Sequence, residues 1–93
     1  MDRSAFEAAL KADGFEDVEQ KTVAPSVVNP LHTHPFAVRL MVLSGEMTVT
    51  ANGSAHTCRA GDTFAMEPGC EHFEQYGAAG TVYLVGRKHS HPA

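Results

Sequence analysis

The chain has 93 residues, of which 43% are hydrophobic and 19% charged. That length holds one domain, because two cores would each be too small to bury enough surface, and the composition is that of a folded globular chain. Eleven acidic against seven basic side chains leave a net charge of −4, the wrong sign for a nucleic-acid partner, which needs a basic patch or stripe. The longest apolar run, within residues 37–43, is interrupted by Arg39 and falls far short of the roughly 20 residues of a spanning helix, so no membrane partner is expected. Met1-Asp2-Arg3 leads into acidic positions without the apolar block of a secretory leader, and a cytoplasmic location is expected. Cys58 and Cys70 are too few for a disulfide scaffold and are expected as reduced, semi-buried hydrophobes.

Residues 4–14 form the first predicted element, a short helix. Ser4 and Glu7 have the spacing of a capping box, and Gly14 suits the left-handed position after the last turn. Phe6, Ala9 and Leu10, with Phe15, make an apolar stripe for packing on the body, while Glu7 and Lys11 face water. After Gly14 the chain breaks into apolar or alternating runs of four to eight residues stopped by Gly, Pro or Asn, the punctuation of antiparallel β structure. Residues 18–23 are the first strand. Pro25 and Pro30 bracket Val27 and Val28, which suits an edge strand or an irregular connection.

Residues 38–43 are apolar almost throughout and should lie deep. Residues 46–50 alternate, Asn52-Gly53 is a hairpin turn, and Ser54–Arg59 returns as the partner strand. Gly61-Asp62 turns the chain into Thr63–Met66, Pro68-Gly69 turns it into residues 72–76, and residues 77–80 make a loose turn before 81–85. Seven or eight strands after one helix imply a sandwich or closed barrel, since an open sheet would leave long edges exposed. The expected organisation is a single domain: helix and lead-in at 1–16, barrel at 17–86, and a polar mobile tail at 87–93.

Three of the six histidines, His32, His34 and His72, lie in the body of the chain. Alternate residues of a strand share a face, so His32-Thr33-His34 can aim two imidazoles at one point, the spacing of ligands to a first-row metal. The surrounding residues resemble the two motifs of the cupin superfamily. The first motif, a His-x-His followed by a glutamate and then a glycine closing a strand, is matched by His32-Thr33-His34 and by Val42-Leu43-Ser44-Gly45-Glu46. The second, a Gly-Asp turn followed by a Pro-Gly turn and a histidine, is matched by Gly61-Asp62, Pro68-Gly69 and His72. The resemblance runs from about Val23 to Val85. It implies an all-β fold, a small RmlC-like cupin β-barrel of the double-stranded β-helix or jelly-roll type, here with one short N-terminal helix.

Three features depart from the pattern. Asn29-Pro30-Leu31 stands where the first motif has its early glycine, the proline of the second motif is displaced by one position to Pro68, and the first motif's glutamate is missing, its position falling on Val38 or Arg39, neither of which can supply a carboxylate. What the resemblance leaves is a three-histidine set of His32, His34 and His72 for a divalent ion: iron, zinc, nickel, manganese or copper. Glu74 follows His72 at the alternate-residue spacing and is the candidate substitute, as a ligand, an orienting group or a base. Tyr76, two residues further on, is a second catalytic candidate that could offer its hydroxyl to a pocket. Phe36, Leu40, Val42, Met47 and Phe64 are expected as barrel filling or pocket wall. Arg39 should point away from the histidines, to pair with an acidic residue at a dimer interface or to hold an anion. His56 is expected at the surface, and His89 and His91, in the tail, as a poor preorganised site.

A metal on a small barrel does not name a reaction. Two functions are expected: a metal-dependent enzyme acting on a small molecule at the barrel mouth, of dioxygenase type if the metal is iron, or a non-catalytic module that binds or senses a metal or small ligand. Since cupins commonly pair and so small a barrel buries a modest share of its surface, a homodimer is expected.

Overall fold

The computed structural model of the chain describes residues 1–89. Helix α1 spans Arg3–Ala12 and is capped by Asp2, whose carboxylate accepts from the Ala5 N–H at 2.8 Å. The expected capping box is therefore not used. Starting at Asp2 adds backbone hydrogen bonds and places a negative charge at the positive end of the helix. Ser4 then sits inside the first turn, and Glu7 pairs with Arg3 at 2.9 Å. At the other end Gly14, at φ +82°, lets the Phe15 N–H reach the Leu10 carbonyl at 2.9 Å, a closure that folds Phe15 back onto Leu10.

Six strands follow: β1 Asp17–Val23, β2 Val28–His32, β3 Ala37–Ala51, β4 Ser54–Arg59, β5 Thr63–Met66 and β6 His72–Lys88. The expectation of seven or eight fails at two places where a break in the sequence pattern is a distortion inside one strand. In β3 the pairing shifts register between Val42 and Ser44 and again between Gly45 and Met47, so the two apolar runs expected as separate strands are one bent strand of 15 residues. In β6 the expected loose turn at 77–80 is an excursion opposite Glu46 within a strand of 17 residues, held by the Thr81 hydroxyl donating to the Glu46 carbonyl at 2.6 Å. Arg87 and Lys88, expected in the tail, are still paired, with Asp17 and Ala37.

Because β3 and β6 pair along their length and bend together, each serves two layers. Residues 81–87 of β6 carry β1 on one side and the first part of β3 on the other, which in turn carries β5. Residues 72–75 of β6 carry β2, and the second part of β3 carries β4. The layers face each other across one core. Val38, Leu40 and Val42 come from the first part of β3, Met47 and Val49 from the second, and Tyr76, Tyr83 and Val85 from β6. Cys58 is buried in the same core, where loss of solvent pushes its thiol up.

Helix α1 lies on the outside of the first layer, with Phe6, Leu10 and Phe15 over Met41 and Leu84. Leu10 has no exposed surface and fits against Gly86, where an added Cβ would stand 2.9 Å from both leucine methyls. No helix among the described residues is long and apolar enough to cross a membrane.

Two variants test this packing. Leu10→Ala empties a site closed on all sides and should cost about 2–5 kcal/mol, lowering the melting temperature followed by circular dichroism by about 10 °C or more. Gly45→Ala should be far worse, because its Cβ would lie 2.0 Å from the Gly80 carbonyl oxygen in a backbone at φ +75°. A melting temperature unchanged by Gly45→Ala would show that the bend does not depend on that close approach.

Candidate functional site

Three elements converge on the histidines. His32 ends β2 and is the cross-strand partner of His72, the first residue of β6, while His34 lies in the connection from β2 to β3. The His32 and His72 ring centroids are 4.2 Å apart, and His34 is 4.8 Å from each. One ring nitrogen from each histidine forms a set lying within 4.8 Å of one another.

The backbone decides which nitrogen faces the cluster. His32 Nδ1 lies 2.6 Å from the Pro30 carbonyl and His72 Nδ1 2.9 Å from the Cys70 carbonyl. A carbonyl only accepts, so both Nδ1 atoms are donors, and in the neutral imidazole this leaves the lone pair on Nε2. His72 is fully buried and its Nε2 has no hydrogen-bond partner. His34 stacks on Phe36 with the rings 14° from parallel. Burial, followed by the neighbouring His72 and His32, holds its pKa below the usual imidazole range, so the ring stays neutral and able to donate an electron pair.

Glu74 faces inward beside the cluster. One carboxylate oxygen is 3.7 Å from His72 Nε2, and the other is 3.9 Å from His32 Nε2 and has no hydrogen-bond partner. Burial pushes this carboxyl above its ordinary range, while His32 and His72 pull the other way. Tyr76 is buried in the core and lines a cleft beside β1 and β2 together with Tyr83, whose hydroxyl is 3.5 Å from its own, and burial raises it well above a free phenol. Val38 closes the wall of the histidine cavity at the place of the missing glutamate.

Arg39 points out of the barrel, as strand alternation requires. Its acidic partner within the chain is Asp13, and its guanidinium lies 4.6 Å over the Phe15 ring, beneath the end of α1. His56 is exposed beside Phe64. His89 lies 3.6 Å from Asp17 and packs on Phe36, and His91 falls outside the described residues.

The cavity at the histidines measures about 70 Å³, and four of its polar lining residues, Lys21, Asn29, Tyr83 and Arg87, are not singled out by sequence reasoning. The strand 18–23 hides Lys21, because Val18 and Val23 sit at positions of opposite parity and so give no inward face. Register resolves it: Lys21 lies opposite Tyr83, an inward residue, while Val18 is 43% exposed.

The cupin domain family matches residues 20–85. The chain is a cupin. Solved structures of the same fold include a protein of unknown function from Rhizobium leguminosarum, 18% identical over 78% of this chain and 69% of that one, with a TM-score of 0.73. An RmlC-like cupin from Shewanella frigidimarina is 20% identical over 75% and 63%, with a TM-score of 0.67. An oxalate oxidase in complex with the substrate analogue glycolate is 29% identical over 82% of this chain, with a TM-score of 0.69, and this chain covers 43% of its length. No curated protein matches this cupin in sequence.

Many members of this fold hold a metal, and the donors here fit one. Two imidazoles are fixed by backbone acceptors with their free nitrogens turned inward, and His72 Nε2 is orphaned in a buried place. A carboxylate stands within 4 Å of both. These donors and their backbone support are compatible with a bound metal ion.

Glu74→Gln tests the cost of the buried carboxylate. In chelator at neutral pH the variant should melt at the same or a higher temperature than the parent, since a charge with an unsatisfied oxygen is removed and the shape kept. A fall of more than about 5 °C, on the order of 1 kcal/mol for a chain this size, would show that the charge itself holds the barrel together.

Proposed function

We propose that this cupin binds a divalent transition metal through His32, His34 and His72, with Glu74 beside them, and presents it to a small organic molecule entering between the layers. One observation carries the reading: Nε2 of fully buried His72 has no partner and shares its pocket with the free nitrogen of His32 and an orphaned Glu74 oxygen. An unsatisfied buried polar atom costs about 1–3 kcal/mol, and a cation satisfies all of these at once. Three neutral nitrogens leave coordination positions open, and iron or copper held there would supply oxygen chemistry. Glu74 is placed to take or give a proton to a molecule bound at the histidines. The similarity to an oxalate oxidase supports an enzymatic role of this dioxygenase or related type.

A second reading, a metal-binding or sensing module without turnover, is favoured by Val38, which leaves the site without the family's usual carboxylate. Turnover separates the two: an enzyme consumes a substrate from a panel of small acids, thiols and catechols in a metal-dependent way, whereas a module shows only saturable binding.

The metal itself is tested by elemental analysis of untagged protein reconstituted with iron, zinc, nickel, manganese or copper. About one equivalent of metal is expected in the parent and less than about a tenth of that in His72→Ala. Equal metal content in the two proteins, or none in either, would overturn the proposal.

A further inference from the structure

The histidine cavity adjoins a wider cleft of about 490 Å³ between strands β1 and β2, the open edge between the two layers. Lys21, Asn29 and Tyr83 line both spaces. All three carry hydrogen-bond donors, an ammonium, an amide and a phenol, of which the Asn29 amide also hydrogen-bonds Glu74. The wall that the two spaces share is therefore rich in donors, and the inner cavity combines the apolar Phe36, Val38 and Val85 with His32, His34, Glu74 and Arg87.

The two cations of the cavity differ in their pairing. Arg87 is committed to carboxylates on β1, 3.2 Å from Glu19 and 4.0 Å from Asp17. Lys21 makes no ion pair among the described residues. It is partly buried and turned inward, and its charge acts on both His34 and Glu74. Glu74 lines the same cavity and feels this charge but makes no direct pair with it, its oxygens being turned to His32 and His72. An ammonium taken partly out of water with no carboxylate in contact gains from an anion that meets it directly. With a divalent ion on three neutral imidazoles the cavity carries net positive charge whether or not Glu74 holds a proton.

We infer that Lys21 is the receptor for the carboxylate of a small organic acid, with Asn29 and Tyr83 as further donors and the acid's short apolar body directed into the histidine cavity. This names the ligand class for the site and rests on the reading of that site as one that holds a metal and a small molecule. One unpaired ammonium and two neutral donors match a single negative charge on a planar group, and the small inner cavity limits the body to a few carbon atoms.

The test uses the full chain loaded with zinc, titrated with butyrate and with butyramide, its neutral analogue, and followed by ¹H–¹⁵N chemical shifts. Zinc content is measured first on every sample. The parent should bind butyrate at least tenfold more tightly than butyramide. Lys21→Met should lose that preference with zinc content unchanged, and Lys21→Arg should keep it; should Lys21→Met not fold, Lys21→Gln gives the same readout. Equal affinities in the parent, an undiminished preference in the Lys21 variant, or tighter binding of inorganic phosphate at the same residues would overturn the inference. A parent without zinc would overturn the metal reading separately, and its preference between butyrate and butyramide would still decide the role of Lys21.

Discussion

The pairing of β3 with β6 is the constraint on which the rest of the molecule depends. These two strands, the longest in the chain, run antiparallel from Ala37 opposite Lys88 to Ala51 opposite His72. Bending this ribbon at Gly45 turns one sheet into two facing layers, because each half of each strand then recruits a different neighbour. Gly45 and Gly80 meet at the bend with no room for a side chain. The core, the seat of α1 and the histidine site are all placed by this one folded ribbon.

The site is built with little of the molecule's own polar side chains. His32 and His72 are oriented by backbone carbonyls two residues before each of them, so the strand ends that position the rings also fix which nitrogen is free. That economy suits a small barrel, where a network of buried carboxylates to orient imidazoles would have displaced apolar volume from a core already limited by size. Val38 lines one side of the cavity with apolar surface, and Glu74 of β6 stands beside the histidines.

Much of this was legible in the sequence. His32-x-His34 with a distant His72, the Asn52-Gly53 hairpin and the apolar stripe Phe6, Leu10 and Phe15 each depend on local spacing, and spacing survives folding. What was not legible depends on cross-strand partners. A glycine-rich stretch such as 77–80 reads as a turn, yet whether it reverses the chain or swells within a strand is decided by Glu46 and Gly45 across the ladder. Lys21 looks like a surface residue because lysine commonly is one, and only its register against Tyr83 turns it inward. Arg39 was correctly aimed outward by alternation, but its partner Asp13 lies beyond a helix terminus whose docking no pattern specified. Tyr76 shares the alternation of His72 and Glu74, but by that point the face has passed from the histidine cavity into the core.

The position of β6 as the last described strand has a kinetic meaning. β1, β2 and β3 all hydrogen-bond to it, with Asp17 paired to Arg87, so neither layer can close until β6 is available. During synthesis the apolar first part of β3 therefore waits with one edge unpaired, and such contacts of high sequence separation form slowly and leave strands exposed to association meanwhile. Helix α1 needs no distant partner to start forming, but its docking surface on Leu84 and Gly86 arrives only with β6. The barrel and the histidine pocket it encloses are thus completed together once β6 is available, and a ribosome-bound chain that stops short of β6 would carry His32 and His34 with neither His72's strand nor a cavity to hold them.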